Sequence, residues 1–171
     1  RRPAGEGVQL CAATFGRVQD YKIKDINNMG AAMAPAAAKT LCQFFNDTGA
    51  KPEDFDLILT GDLGFVGSRL FERLMQAQGC PIAGRHNDCG LMIYDRLRQD
   101  VHAGGSGCGC AASVLCSFIL PQIACQRLKN VLFMATGALM SPTSVQQGES
   151  IPGIAHLLHL SAFAGKEEEV R

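Results

Sequence analysis

Short apolar runs and longer helical patterns alternate along this chain. Residues 55–60 and 131–136 are too short for helices and lie between turn signals, so they predict buried strands. Residues 8–18 and 153–162 alternate in polarity and predict two further strands, and residues 91–94 predict a weaker one. The pattern therefore predicts a sheet of about five short strands.

Three helical patterns separate these strands. Apolar positions recur at helical spacing over residues 34–47, 66–78 and 108–128, with Pro35 in a first turn and Pro121 predicted to kink the longest helix. Alternating strands and helices are typical of an α/β fold. We expect a mostly parallel mixed sheet covered by helices on both faces.

Composition limits the classes of function that are compatible with this chain. The 171 residues are 47% hydrophobic, with 16 basic and 16 acidic side chains and no net charge, which fits one globular unit without the basic face that nucleic acid requires. None of the eight cysteines forms a CxxC pair, so we interpret them as reduced thiols of an intracellular protein. Glycine, proline and glutamine interrupt the uncharged stretches 103–126 and 130–148, which favours buried elements over membrane spans.

Candidate ligand-binding groups lie in loops that follow predicted strands. In Gly61-Asp62-Leu63-Gly64, the Asp62 carboxylate either accepts hydrogen bonds from a ligand or caps the next turn or helix. The glycines of residues 104–109, which include Gly105 and Ser106, open a helix. Its backbone amides either favour an anion such as a carboxylate or pack closely against another element.

Two residue types in these regions could act as nucleophile or acid and base. Cys108 and Cys110 lie at a helix start, which lowers a thiol pKa, but no partner base is identifiable. His156, on an apolar strand face opposite that of His159, is either a satisfied core residue, a donor to an anionic ligand, or an acid/base. His86, in a polar loop, is a further candidate. The predicted ligand-binding residues, with no catalytic residue, metal or cofactor, are Asp62, Gly105, Ser106, Cys108 and His156.

Six stretches in these same regions carry a resemblance that covers nearly the whole chain. They read NMGAAMAPAAA (28–38), DLILTGDL (56–63), DCGL (88–91), AGGSGC (103–108), ATGALMSPT (135–143) and QQ, IP and IAH within 146–156. In this order the chain resembles the stage V sporulation protein AD family of spore-forming bacteria.

The resemblance implies a thiolase-like fold of two similar halves, of which residues 1–171 form the C-terminal half-domain and the N-terminal half is absent. It implies binding of dipicolinic acid, a small dicarboxylate, and support of its uptake into the spore. It also implies that the full-length protein is a homodimer, works beside other proteins of the same operon, and is an intracellular protein peripherally associated with the spore inner membrane.

Condensing enzymes of that fold offer a contrast. They typically place a catalytic His after the strand matching 57–60, and an Asn or His near the loop matching 104–106. Here those places hold Gly61-Asp62 and Gly104-Gly105-Ser106. The comparison favours binding over catalysis. A condensing enzyme with its Cys in the missing half and a relocated base such as His102 or His156, and a scaffold for membrane partners, stay as alternatives.

A dicarboxylate ligand suits hydrogen-bond donors better than acceptors. The loop amides of residues 104–109 and a protonated His156 would qualify. Asp62 would contact such a ligand only if it is protonated, holds a bridging Ca²⁺, or acts through water.

Overall fold

Five strands form one mixed sheet in the computed structural model, which describes residues 6–164. The sheet order is β1-β5-β4-β2-β3. The strands are β1 (Glu6–Thr14), β2 (Leu57–Thr60), β3 (His86–Asp88), β4 (Asn130–Ala138) and β5 (Gly153–Ala164).

Strand direction bears out the expected mixed sheet only in part. β2 pairs in parallel with β3 and β4, whereas β5 pairs antiparallel with β4 and β1. Four strands thus share one direction, yet two of the four pairings are antiparallel, so the sheet is not mostly parallel in its pairing. The reason is that β5 reverses after a short connection and lies inside the sheet, between β1 and β4.

Helices cover both faces of the sheet, as expected. They are α1 (Met29–Thr48), α2 (Gly64–Ala77), α3 (Cys89–Met92), α4 (Cys108–Val114), α5 (Leu120–Ala124) and α6 (Pro142–Gln146). α1 and α2 pack with the buried side chains Ile58, Leu132 and Leu157. α4 and α5 pack on the other face, where Leu59 and Phe133 are buried.

The helix α1 begins at Met29, five residues before its predicted start, and Pro35 lies well inside it. Asn28 caps it, since the Asn28 side chain accepts a hydrogen bond from the Ala31 amide at 3.3 Å. A Cβ on Gly30 would lie 2.3 Å from the Leu63 carbonyl oxygen. This close contact with the start of α2 stabilises the extra turn, and tertiary packing therefore outweighs the local preference of proline for a first turn.

The longest predicted helix, residues 108–128, is one helical run that changes helix type in its middle. α4 and α5 are joined by a π-helical turn, Leu115–Ile119, immediately before Pro121. Proline lacks an N–H and its ring clashes with the carbonyl four residues earlier, and a widened turn relieves both problems. The change of helix type lies just before Pro121, and the kink expected at Pro121 stays a prediction.

The predicted weak strand at 91–94 is wrong. The strand of this region is β3, three residues that pair with β2, and the chain turns directly into α3. The Asp88 side chain caps α3 by accepting from the Gly90 amide at 3.0 Å. A helix start stabilised in this way replaces the strand.

Two findings concern the cysteines and the uncharged stretches. All eight cysteines lie within the described residues and carry free thiols. Between residues 6 and 164, the helices are too short or too polar to cross a bilayer.

Candidate functional site

Asp62 joins three segments beyond the carboxyl end of β2. Its Oδ1 accepts a hydrogen bond from the Thr136 hydroxyl of β4 at 2.8 Å, and its Oδ2 accepts one from the Gly107 amide at 3.0 Å. The Ser106 hydroxyl lies 3.5 Å from the same Oδ2, at the limit of a hydrogen bond. Asp62 and Ser106 therefore meet, as expected for loops at one edge of a sheet.

The expected alternative role of Asp62, capping the next helix, belongs to another residue. The Asp88 carboxylate accepts hydrogen bonds from the Leu63 and Gly64 amides, at 2.9 and 3.0 Å, where α2 begins. The Thr60 hydroxyl donates to Asp88 Oδ2 at 2.6 Å. Asp88 is fully buried, and burial raises its pKa above the ordinary value. The sequence does not predict that Asp88 connects β2 to the start of α2, although Asp88 lies in one of the stretches that carry the family resemblance.

The two parts of the glycine loop, residues 104–109, have different surroundings. Its first part packs closely, since a Cβ on Gly104 would lie 2.3 Å from the Gly90 carbonyl oxygen and the Gly105 amide donates to that oxygen at 2.7 Å. The packing interpretation is therefore right for this part. Gly107 and Gly109 have no atom within 4 Å of an added Cβ, so the second part of the loop faces open space.

An open cleft of about 650 Å³ lies against this loop. Gly105, Ser106 and Cys108, three of the five predicted binding residues, line it. The opposite wall includes Ile93, Tyr94, Val101 and His102. A cleft of this size with an apolar wall and a few polar groups is typical of small-molecule sites.

His156 has a different environment. It lies opposite Ala135 on β5, so β4 separates it from β2, and two strand spacings amount to about 10 Å. Its Nδ1 accepts a hydrogen bond from the Gly16 amide at 3.1 Å, and its ring lies edge-on to Phe15. The structure therefore does not bring His156 into contact with Asp62 and Ser106. A protonated His156 would also lose this bond, because Nδ1 would no longer accept.

The buried thiols near the cleft are poor nucleophiles. Burial raises the pKa of Cys110 to about 11 and that of Cys89 to about 12. Both thiols are therefore protonated at neutral pH, whereas a nucleophilic cysteine needs its thiolate form. No group of three or more histidine, cysteine, aspartate or glutamate side chains within residues 6–164 is arranged to hold a metal ion.

Comparison with known proteins places the chain among sporulation proteins. The model of the stage V sporulation protein AD family matches residues 2–161. Stage V sporulation protein AD of Bacillus subtilis (strain 168) is 50% identical over 149 residues, which is 87% of this chain and 44% of that protein. The chain thus spans less than half the length of this curated relative.

Proposed function

Because the chain belongs to the stage V sporulation protein AD family, we propose that it binds a small dicarboxylate, dipicolinic acid, without catalysing a reaction on it. The observation that carries the proposal is the open cleft of about 650 Å³ beside the glycine loop. Its volume lies within the range of small-molecule sites, and its walls combine Ile93 and Tyr94 with Ser106 and Cys108. Support for uptake of the acid into the spore belongs to the same proposal.

In this proposal Asp62 positions the loop and does not contact the ligand. Both of its oxygens already accept hydrogen bonds, from Thr136 and from Gly107. Asp62 therefore holds the loop at the carboxyl end of β2. The ligand carboxylates would instead accept from the Ser106 hydroxyl and from loop amides other than those of Gly104, Gly105 and Gly107, which already donate within the chain.

Two features near the cleft support binding over catalysis. The Cys110 thiol is held protonated by burial, and Gly61 and Asp62 occupy the place where the resembling enzymes keep a histidine. Ser106 and Gly105 likewise stand where those enzymes keep an asparagine or histidine.

Calorimetry of the full-length protein with dipicolinate tests the proposal. Dipicolinate should bind, and Ser106→Ala should weaken binding about tenfold, the loss expected when a hydrogen bond to a carboxylate is removed. Thr143→Ala is the matched control, because it also removes a hydroxyl and Thr143 is exposed outside the cleft. No heat and no thermal shift with dipicolinate would instead favour the scaffold function.

A condensing enzyme is the second candidate, with its nucleophilic cysteine in the part of the protein outside this chain. Incubation of the full-length protein with an acyl-CoA, followed by mass spectrometry, separates the two. Acylation of a thiol would support the enzyme, whereas an unmodified protein without CoA binding would remove it.

The wider setting is also proposed from family membership. Residues 1–171 would form the C-terminal half of a two-half, thiolase-like protein. The full-length protein would be a homodimer that associates peripherally with the spore inner membrane, beside the other proteins of its operon.

A further inference from the structure

A second cavity, of about 550 Å³, lies between the start of α2 and the segment that follows α3. We call it the arginine cavity, because Arg69 and Arg96 both line it, together with Phe65, Ser68 and Tyr94. Tyr94 also lines the cleft beside the glycine loop, so the two cavities are neighbours separated by one side chain. The proposed function uses none of the other four residues.

The Arg69 and Arg96 guanidinium groups have no ion-pair partner in the described part of the chain. The guanidinium carbons of Arg96 and Arg69 lie 4.2 and 5.4 Å from the centroid of the Phe65 ring. Within residues 6–164 neither arginine lies within 4 Å of a carboxylate. Arg96 donates through Nε to the His102 carbonyl oxygen at 2.9 Å, which fixes its position and leaves its terminal N–H groups for another acceptor.

The two carboxylates that line the cavity are engaged elsewhere. Glu72 Oε1 lies 3.2 Å from His86 Nδ1, and Asp95 Oδ2 lies 3.5 Å from Arg98 Nε. The other oxygen of Asp95 accepts from the Leu97 amide at 3.0 Å. Neither carboxylate therefore forms an ion pair with Arg69 or Arg96, although both lie at the cavity wall.

Ser68 supplies an independent sign of a missing partner. Its residue is 4% exposed, and its hydroxyl oxygen is buried with no hydrogen-bond partner. Leaving such a group unpaired costs free energy, so nearly all buried hydroxyls have a partner. Because Ser68 lines the arginine cavity, a change of its rotamer would let the hydroxyl reach a ligand oxygen there.

We infer that the arginine cavity is a second ligand site, for a small flat organic carboxylate. The carboxylate would accept hydrogen bonds from the Arg69 and Arg96 guanidinium groups and from the Ser68 hydroxyl. The flat apolar body would lie against Tyr94 and Leu91, which line the same cavity. This inference does not depend on the proposed function, because that function concerns the glycine-loop cleft.

Titration of the full-length protein with benzoate, a flat monocarboxylate, tests the inference. Arg69→Gln and Arg96→Gln should each weaken benzoate binding at least about tenfold, as expected for a lost charge-assisted hydrogen bond. Ser68→Ala should weaken binding without lowering thermal stability, because the hydroxyl that it removes is unpaired in the free protein. Uncharged benzamide should bind more weakly than benzoate.

Arg73→Gln is the matched control, since Arg73 is an exposed arginine on the same helix, α2, and does not line the cavity. It should leave benzoate affinity unchanged. The inference is overturned if benzoate does not bind at millimolar concentration, or if the Arg69 and Arg96 variants bind it as the parent does. A loss of benzoate binding in Ser106→Ala alone would also overturn it, while leaving the glycine-loop cleft supported.

Discussion

Asp62 and Asp88 each follow a parallel strand, yet they stabilise different parts of the fold. Asp62 links β2 to β4 through Thr136 and to the glycine loop through Gly107. The Asp88 carboxylate accepts hydrogen bonds from the amides at the start of α2 and of α3. The sequence pattern gives the type of residue and its place after a strand, but it does not show which amides will surround each carboxylate.

Replacing Asp88 should destabilise the fold more than replacing an exposed aspartate. In Asp88→Asn an amide nitrogen would face either the Leu63 amide or the Gly64 and Gly90 amides, and two donors cannot bond each other. We expect a loss of about 1–3 kcal/mol in the free energy of unfolding, measured with urea. Asp100→Asn, at a highly exposed carboxylate, should change it by less than about 0.5 kcal/mol. Equal stability of the two variants would contradict this role of Asp88.

His86 should make stability depend on pH. Its side chain is buried against Phe71, and burial lowers its pKa below the ordinary value of 6.5, despite the nearby Glu72. The unfolded chain therefore binds a proton that the folded chain resists, so stability should fall as pH drops below about 6.5. In His86→Gln, denaturant unfolding between pH 7.5 and about 5.5 should show a smaller fall than in the parent. An unchanged fall would show that His86 does not control this dependence.

At the scale of elements, the sequence predicts the strands near β2 and β4 and the positions of three helices, because short apolar runs and helical spacing are local signals. It does not predict β3, since three residues carry too little pattern. The first turns of α1 are also missed, because the contact between Gly30 and α2 is a tertiary one. The sequence predicts His156 in the same site as Asp62, because the pattern does not show that β4 lies between β2 and β5.

The crossing of α1 and α2 should tolerate no added methyl group. A Cβ on Gly30 would lie 2.3 Å from a backbone oxygen, and one on Gly67 would lie 2.8 Å from the Gly30 Cα. Gly30→Ala should therefore lower the free energy of unfolding by about 1–3 kcal/mol, as overpacking does. Gly109→Ala is the control, because an added Cβ there meets no atom within 4 Å. A Gly30→Ala variant as stable as the control would show that the helices can separate at little cost.

At the scale of the whole molecule, the helical run from Cys108 to Ala124 has an exposed side without charge. No charged residue occurs from 103 to 126, and Phe118 is half-exposed on this run. A surface helix usually carries charged residues on its outer side, so an uncharged one indicates a covered surface. In the proposed two-half protein, the other half would cover this surface.

This surface should make the isolated chain self-associate. Phe118→Lys should shift the chain toward monomer in sedimentation velocity, because a charge on the contact surface resists burial. Leu97→Lys, at a nearly fully exposed side chain elsewhere, should leave the association unchanged. A parent chain that stays monomeric at high concentration would count against a covered surface.

A crystal structure of the full-length protein with dipicolinate would show where the ligand binds. Electron density for the ligand should lie in the glycine-loop cleft, with a carboxylate within hydrogen-bond distance of the Ser106 hydroxyl and with Asp62 still bonded to Thr136 and Gly107. Density confined to another part of the molecule, or an empty cleft in crystals saturated with dipicolinate, would contradict the proposed binding site.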